Sequence, residues 1–219
     1  MKPHFTAKAI LFDLDGTLAD TAPDLAAAVN QMRKQRNLEI APYANLRPHA
    51  SAGARGLLAA GFGIKPEDSG YEAMRIEFLD NYERNICQRS TLFAGITELL
   101  AQIAARTIPW GIVTNKAARF TQPLVPLLGL QLAHCVVSGD TTPYSKPHPE
   151  PLLEAARQLQ IAPQDCCYVG DDLRDIQAAQ AAGMHSIAAG WGYCGQTEPT
   201  LWNADLLLHK PEELFRFIA

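Results

Sequence analysis

A repeating alternation of short apolar runs with stretches of helical periodicity constrains this chain more than any other feature of its sequence. Apolar runs at 7–12, 110–113, 135–137, 167–169 and 185–188 are each too short for a helix and stop at polar or glycine-containing turns. Such runs are buried strands. Helical patterns at 96–105, 119–128, 151–160 and 173–182 separate the later ones, and Gly183 supplies a C-terminal cap for the last of these. A final strand near Leu206 and a helix from Pro211 complete the pattern. Strands joined through helices lie parallel, and a parallel sheet needs helices on both faces. The expected fold is therefore α/β, a doubly wound, Rossmann-like parallel sheet.

The alternation is broken once. After the first strand a helix is expected with Thr21 as its cap, Pro23 in its first turn and Asp24 three residues past the cap. Leu25, Val29 and Met32 follow at helical spacing. Residues 40–90 then carry helical patterns but no convincing strand. One helix is expected at 51–60 and another at 71–87, with Met74, Phe78 and Tyr82 on one face. Because this block falls between the first strand and the next, it reads as an insertion. An all-helical cap at 21–90 would interrupt a core made of 1–20 and 91–219, and 219 residues suffice for both.

Composition narrows the partners. Hydrophobic residues at 47% and charged residues at 19% are those of a folded globular chain. A net charge of −4 without any Lys/Arg run argues against a nucleic-acid partner. No apolar stretch approaches the roughly 18 residues of a membrane helix. The stretch 9–12 is too short for a secretory signal, and Asp13 and Asp15 end it. Cysteines 87, 135, 166, 167 and 194 form no CxxC pair and, being odd in number, cannot all pair internally. Reduced core thiols in a cytoplasmic protein are expected. Monomer and homodimer both remain open.

In an open parallel sheet, ligands bind beyond the carboxyl ends of the strands. Here those ends carry Asp13-Leu14-Asp15-Gly16-Thr17, Thr114-Asn115-Lys116 and Gly170-Asp171-Asp172, with Asp175 further on. Ser145-Lys146-Pro147 lies in the loop beyond the 135–137 strand. Carboxylates crowded into one cleft oppose each other's ionisation. A hard divalent cation resolves the conflict, and Mg²⁺ binds carboxylates, water and substrate phosphate. Thr114 and Lys146 suit phosphoryl oxygens. These residues point to phosphoryl chemistry with Mg²⁺.

The run Phe12-Asp13-Leu14-Asp15-Gly16-Thr17-Leu18 resembles the first motif of the haloacid dehalogenase superfamily. Thr114 matches its second motif, Lys146 its third and Gly170-Asp171-Asp172-Leu173-Arg174-Asp175 its fourth, in family order over essentially the whole chain. The resemblance implies that Asp13 attacks phosphorus and forms an aspartyl phosphate. It implies that Asp15 protonates the departing alkoxide and later takes a proton from water. It places Mg²⁺ on Asp13, the backbone carbonyl of Asp15, and Asp171. Thr114, Lys146 and amides near Leu14 and Asn115 would hold the phosphoryl group. Asp172 and Asp175 would orient Lys146 or metal-bound water.

Asp15 argues against a metal-free dehalogenase and a phosphonate hydrolase of the same superfamily, whereas a sugar phosphomutase keeps both aspartates and stays a rival. A receiver domain carries its acceptor on a later strand and has no helical insertion. The helical insertion is similar to the cap of the subfamily that includes phosphoglycolate phosphatases. The Ser51–Arg55, Thr114–Lys116 and Gly170–Asp175 runs also resemble N-acetylmuramate 6-phosphate phosphatases. Both substrates are small phosphorylated metabolites with a carboxylate. Within the cap, Arg47, His49, Ser51 and Arg55 lie in one polar segment before a helix, where side chains and amides could meet that anion.

Overall fold

The computed structural model describes residues 6–195 and 197–217. Its elements run β1 (Ala9–Phe12), β2 (Ala19–Asp20), α1 (Ala22–Gln35), α2 (Tyr43–Leu46), α3 (Gly53–Phe62), α4 (Tyr71–Arg84), β3 (Thr91–Leu92) and α5 (Ile96–Ala105). They continue with β4 (Trp110–Val113), α6 (Ala118–Leu127), β5 (Cys135–Val137), α7 (Glu150–Leu159), β6 (Cys166–Gly170), α8 (Leu173–Ala182), β7 (His185–Ala189) and β8 (Leu206–Leu208). The segment from Pro211 is a 3₁₀ helix, Pro211–Arg216, rather than an α-helix.

Six strands form one parallel sheet in the order β5-β4-β1-β6-β7-β8. The chain leaves β1 toward β4 and β5 on one side, then returns to build β6, β7 and β8 on the other. The end of β1 is thus the switch point where an open α/β sheet places its ligand. Alternate residues of β1 serve opposite faces. Ile10 and Phe12 pack with Ile96, Leu99, Ile103, Leu124 and Leu214. Ala9 and Leu11 pack with Leu152, Ala155, Ala178 and Ala179. Both faces are dry, which is why the strands read as continuous apolar runs. Cys135, Cys166 and Cys167 are buried in these layers, and all five cysteines are free thiols.

The helical insertion builds its own apolar cluster from Leu25, Val29, Met32, Leu57, Leu58, Phe78 and Tyr82, closed against Phe120 and Tyr193 of the core. A Cβ at Gly61 would lie 2.5 Å from Val29 Cγ1, so the crossing of α1 and α3 requires glycine. Two features differ from expectation. The chain enters and leaves the insertion through a two-residue antiparallel ribbon, β2 with β3, instead of plain coil. The expected Thr21–Asp24 cap of α1 also does not form. The Thr21 hydroxyl donates to Asp15, and buried Asp24 accepts from Arg89 N, Ser90 N (2.9 Å) and Ser90 Oγ (2.6 Å). Thr21 thus bonds back to the turn before β2 and Asp24 reaches the chain entering β3, in place of the orphan amides of their own helix. Among the described residues no helix is long and apolar enough to cross a membrane.

Candidate active site

Asp13 leaves the end of β1, its amide bonded to Val169 O at 2.9 Å. Lys146 reaches it from the loop after β5. The ammonium lies 2.9 Å from Asp13 Oδ1 and 2.7 Å from Asp175 Oδ1, and it donates to Tyr168 Oη (2.6 Å) and Val113 O (3.1 Å). Burial opposes the lysine's charge, but Asp13 and Asp175 outweigh it and raise its pKa. The expectation that Asp175 orients Lys146 matches this contact. Despite the close ammonium, Asp13 Oδ1 is buried without a hydrogen bond of proper geometry.

Asp171 follows β6 and is fully buried. Its Oδ1 accepts from Thr17 Oγ1 (3.1 Å), and its Oδ2 accepts from Tyr193 N (2.9 Å) and Ser51 Oγ (3.3 Å). Gly16, at φ +88°, lies against this carboxylate, and a Cβ there would come within 2.2 Å of Asp171 Oδ2. The turn after β1 must therefore carry glycine for Asp171 to reach Asp13. Asp13, Asp171 and Asp175 each offer an oxygen within 4.8 Å of the others. Burial raises the Asp13 pKa to about 7, with Lys146 opposing the shift and Asp175 and Asp15 adding to it. Burial, then Asp13 and Asp175, pushes Asp171 well above the carboxylate range.

These facts test whether the site fits a divalent cation. A cluster of buried acids that raise one another's pKa is what a hard cation would satisfy. Asp13 and Asp171 could hold it. Both Asp171 oxygens accept only from neutral donors, whereas Asp175 has one oxygen on the Lys146 ammonium and the other on Asp172 N at 3.0 Å, so Asp175 is the more firmly committed of the two. The Asp15 carboxylate stands outside the group, leaving only its backbone carbonyl for that purpose.

Asp15 Oδ1 accepts from the Thr21 hydroxyl and lies 3.2 Å from Lys116 Nζ. Thr114 is buried at the end of β4, its Oγ1 accepting from Lys116 N at 3.2 Å. The Asn115 side chain ties two loops together, accepting from Lys146 N and donating to Lys146 O, both at 2.9 Å. Only its amide remains for a phosphoryl oxygen. Asp172 does not reach Lys146. It caps α8, accepting from Arg174 N (2.9 Å) and pairing with the Arg174 side chain (2.8 Å), while Asp175 completes the capping box. Arg174 holds the Asp172 carboxyl below its ordinary range against the opposing effect of burial.

A cleft of about 570 Å³ opens over Asp13, Asp15, Thr114, Asn115 and Lys146. The cap contributes Ser51, Ala52, Gly53, Ala54 and Arg55 to its wall. Arg47 and His49 do not line it. The Arg47 guanidinium stacks 4.9 Å above the Tyr193 ring and donates to Gly192 O, and this aromatic seat turns it away from the cleft. Sequence reasoning missed Lys116, Arg174, Arg75 and Tyr82, which also line the cleft. A lone Lys or Arg on a loop or helix carries no local signal of burial. Arg174, within the fourth motif, and Lys116, in the polar run after β4, had a sequence cue, but neither was assigned a role from it.

Residues 10–189 match the family model described as "Haloacid dehalogenase-like hydrolase". A protein from Xanthomonas campestris pv. campestris named phosphoglycolate phosphatase is 45% identical over 95% of both chains. A Pseudomonas putida protein named N-acetylmuramic acid 6-phosphate phosphatase is 41% identical over 96% of both. The crystal structure of a predicted phosphoglycolate phosphatase from Haemophilus somnus superposes with a TM-score of 0.85 at 27% identity, covering 96% of this chain and 97% of that one. The match spans the switch point, the helical insertion and all four acidic or basic strand ends, and on that ground the chain belongs to the haloacid dehalogenase-like hydrolases.

Proposed function

We propose that the protein is a Mg²⁺-dependent phosphomonoesterase of the cytoplasm, working through an aspartyl phosphate on a small phosphorylated carboxylic acid. The observation that carries this reading is Asp13 itself, buried at the end of β1 with Lys146 at 2.9 Å on one side and the Asp171 and Asp175 carboxylates within 4.8 Å on the other. Asp13 attacks phosphorus in line. Lys146, the Thr114 hydroxyl and the Asn115 amide hold the equatorial oxygens. Asp15 gives a proton to the leaving alkoxide and takes one from the attacking water. Asp13, Asp171 and the Asp15 carbonyl would hold Mg²⁺, which when bound neutralises charge between nucleophile and phosphate. Residues 21–90 act as the cap, with Ser51, the amides of 52–54 and Arg55 facing the far end of the substrate.

Phosphoglycolate is the first reading of the substrate, supported by the name of the 45% identical relative. A second reading is favoured by the cleft. About 570 Å³, with Leu25, Phe78, Leu79, Tyr82 and Phe120 on its wall, is room for a sugar-sized ester and more than a two-carbon acid fills. N-acetylmuramate 6-phosphate has that size and a carboxylate. The deciding measurement is kcat/KM for the two esters side by side. Activity on neither, with p-nitrophenyl phosphate still hydrolysed, would discard the carboxylic-acid reading. Transfer of phosphate to a sugar hydroxyl in place of water would make the protein a mutase.

A further inference from the structure

We propose that Lys116 is a positioning residue for proton transfer: it clamps one oxygen of Asp15 so that the other faces the leaving group. The proposal rests on the reading of Asp15 as the general acid.

Both partners of the Asp15 carboxylate fall on the same atom. Thr21 Oγ1 donates to Oδ1, and Lys116 Nζ lies 3.2 Å from Oδ1. Among the described residues no hydrogen bond reaches Oδ2, and Asp15 lines the cleft. A carboxyl group held by one oxygen has its plane fixed and presents the second oxygen for the proton.

The lysine is built for this. Its side chain is only 8% exposed. The ammonium sits 4.6 Å from the ring centroid of Tyr82 and 6.0 Å from that of Phe120. A cation stripped of water and seated on aromatic faces keeps one strong direction of attraction, toward its anion. Among the described residues that anion is Asp15. The backbone is equally fixed. Lys116 O accepts from Gly139 N (2.8 Å) and Thr121 Oγ1 (3.2 Å), and Lys116 N donates to Thr114 Oγ1. A phosphate-binding lysine would face Asp13, and Lys146 already holds that place. Tyr82 belongs to α4 of the cap and Phe120 to α6 of the core. The seat is therefore complete only when α4 lies over the strand ends, so cap closure and the aim of Asp15 are linked through this one side chain.

The test uses the full chain at saturating Mg²⁺. Single-turnover phosphorylation rates are measured with p-nitrophenyl phosphate, whose leaving group needs little protonation, and with the better of the two alkyl esters named above. Asp15→Asn is the reference and should lose more on the alkyl ester. Lys116→Met keeps an apolar chain on the two rings but removes the clamp. It should slow the alkyl ester by about tenfold to a hundredfold and the aryl ester much less. KM and the Mg²⁺ concentration for half activity should hold, and Lys116→Arg should recover part of the loss. Equal losses on both esters, or a change confined to KM, while Asp15→Asn keeps its selectivity, would overturn the role of Lys116. Equal losses in Asp15→Asn would instead remove the general-acid reading, and the proposal with it. If Lys116→Met does not fold, Tyr82→Leu unseats the cation from the cap side. The same leaving-group signature in that variant supports the clamp, and its absence refutes it.

Discussion

Replacing Asp13 by asparagine should destroy turnover and, in the absence of metal, make the protein more stable. In the metal-free protein burial lifts the Asp13 carboxyl from an ordinary 3.8 to about 7, with Lys146 offsetting only part of that and Asp175 and Asp15 adding to it. A group whose folded pKa is raised contributes stability that is fully present below its unfolded pKa and is lost as pH rises through the folded one. The window here runs from 3.8 to about 7. Above it the ionised carboxylate costs the folded state roughly 4 kcal/mol relative to the unfolded chain. The substituted amide would carry no charge but would give up the contact with Lys146, which keeps Asp175 at 2.7 Å. The net gain at pH 8 is therefore about 2–4 kcal/mol. For a chain of this size that is roughly 4–16 °C in Tm. At pH 5, inside the window, the folded carboxyl is protonated but the unfolded one is not, so the advantage should be smaller than at pH 8 by about 2–3 kcal/mol and disappear fully only below 3.8. Melting curves of both proteins at pH 5 and 8 in chelator, repeated in excess Mg²⁺, measure this. Mg²⁺ should raise the wild type and leave the variant nearly unmoved. A variant that gains nothing over wild type between pH 5 and 8 would refute the view that Asp13 is held against its own charge to receive a cation and a phosphate.

Three further outcomes are expected. Chelation should abolish activity reversibly, Asp171→Ala should raise the Mg²⁺ concentration for half activity, and wild-type Mg²⁺ affinity should increase as pH rises through about 7, where Asp13 loses its proton; calorimetric titrations at pH 6 and 8 check the last point. Arg55→Ala should lower kcat/KM for a carboxylate-bearing ester by about 1.5–3 kcal/mol of transition-state binding and spare p-nitrophenyl phosphate, whereas Arg47→Ala, lost from the Tyr193 ring, should affect both substrates alike. Asp24→Ala strands two amides and a hydroxyl at the exit of the cap, and thermal or urea unfolding should show a loss of about 3 kcal/mol.

The parallel sheet was readable from the sequence because its strands are buried on both faces. Trp110–Val113 and Cys135–Val137 fall where their apolar runs begin and end, since nothing but a dry strand suits them. The ribbon of Ala19–Asp20 with Thr91–Leu92 was not readable, because two residues show no period and their partner lies beyond the whole insertion. Thr21 misled for a related reason. Its spacing to Asp24 is that of a capping box, yet the acid that takes its hydroxyl is Asp15, brought alongside by the turn at Gly16. In the site, Asp13, Asp15 and Asp171 were visible as acids clustered at strand ends, while Thr114 and Lys146 stood out only through their order with those acids along the chain. Arg75 was not visible, and Lys116 was seen at its strand end without a role, because whether a lysine or arginine faces solvent or a cleft depends on elements far away in sequence. For Lys116 those elements are α4 and α6.

The contacts between cap and core divide into two kinds, and the division explains how one chain can be both rigid and able to admit substrate. Near the ribbon, Asp24 takes three buried donors from Arg89 and Ser90, and Tyr193 Oη accepts from Thr21 N (2.8 Å) and Ala22 N (2.9 Å) and donates to Asp20 (2.9 Å). The bonds to Ser90 and those from Thr21 N and Ala22 N are buried, so breaking them leaves an unpaired polar atom out of reach of water. Over the cleft the bonds are of another sort. Ser51 Oγ reaches Asp171 at 3.3 Å, and Arg174 donates to Ser51 O at 2.8 Å while it keeps Asp172. Both partners can be solvated when the cap lifts, so parting them costs little net free energy. The same Ser51 that lies at the mouth touches the carboxylate expected to bind metal, and residues 52–54 beside it line the cleft. Filling the site with cation and ester adds partners to the cap segment that the empty cleft lacks, so binding energy at the far end of the substrate is available to draw the cap down over Asp13 and Asp15.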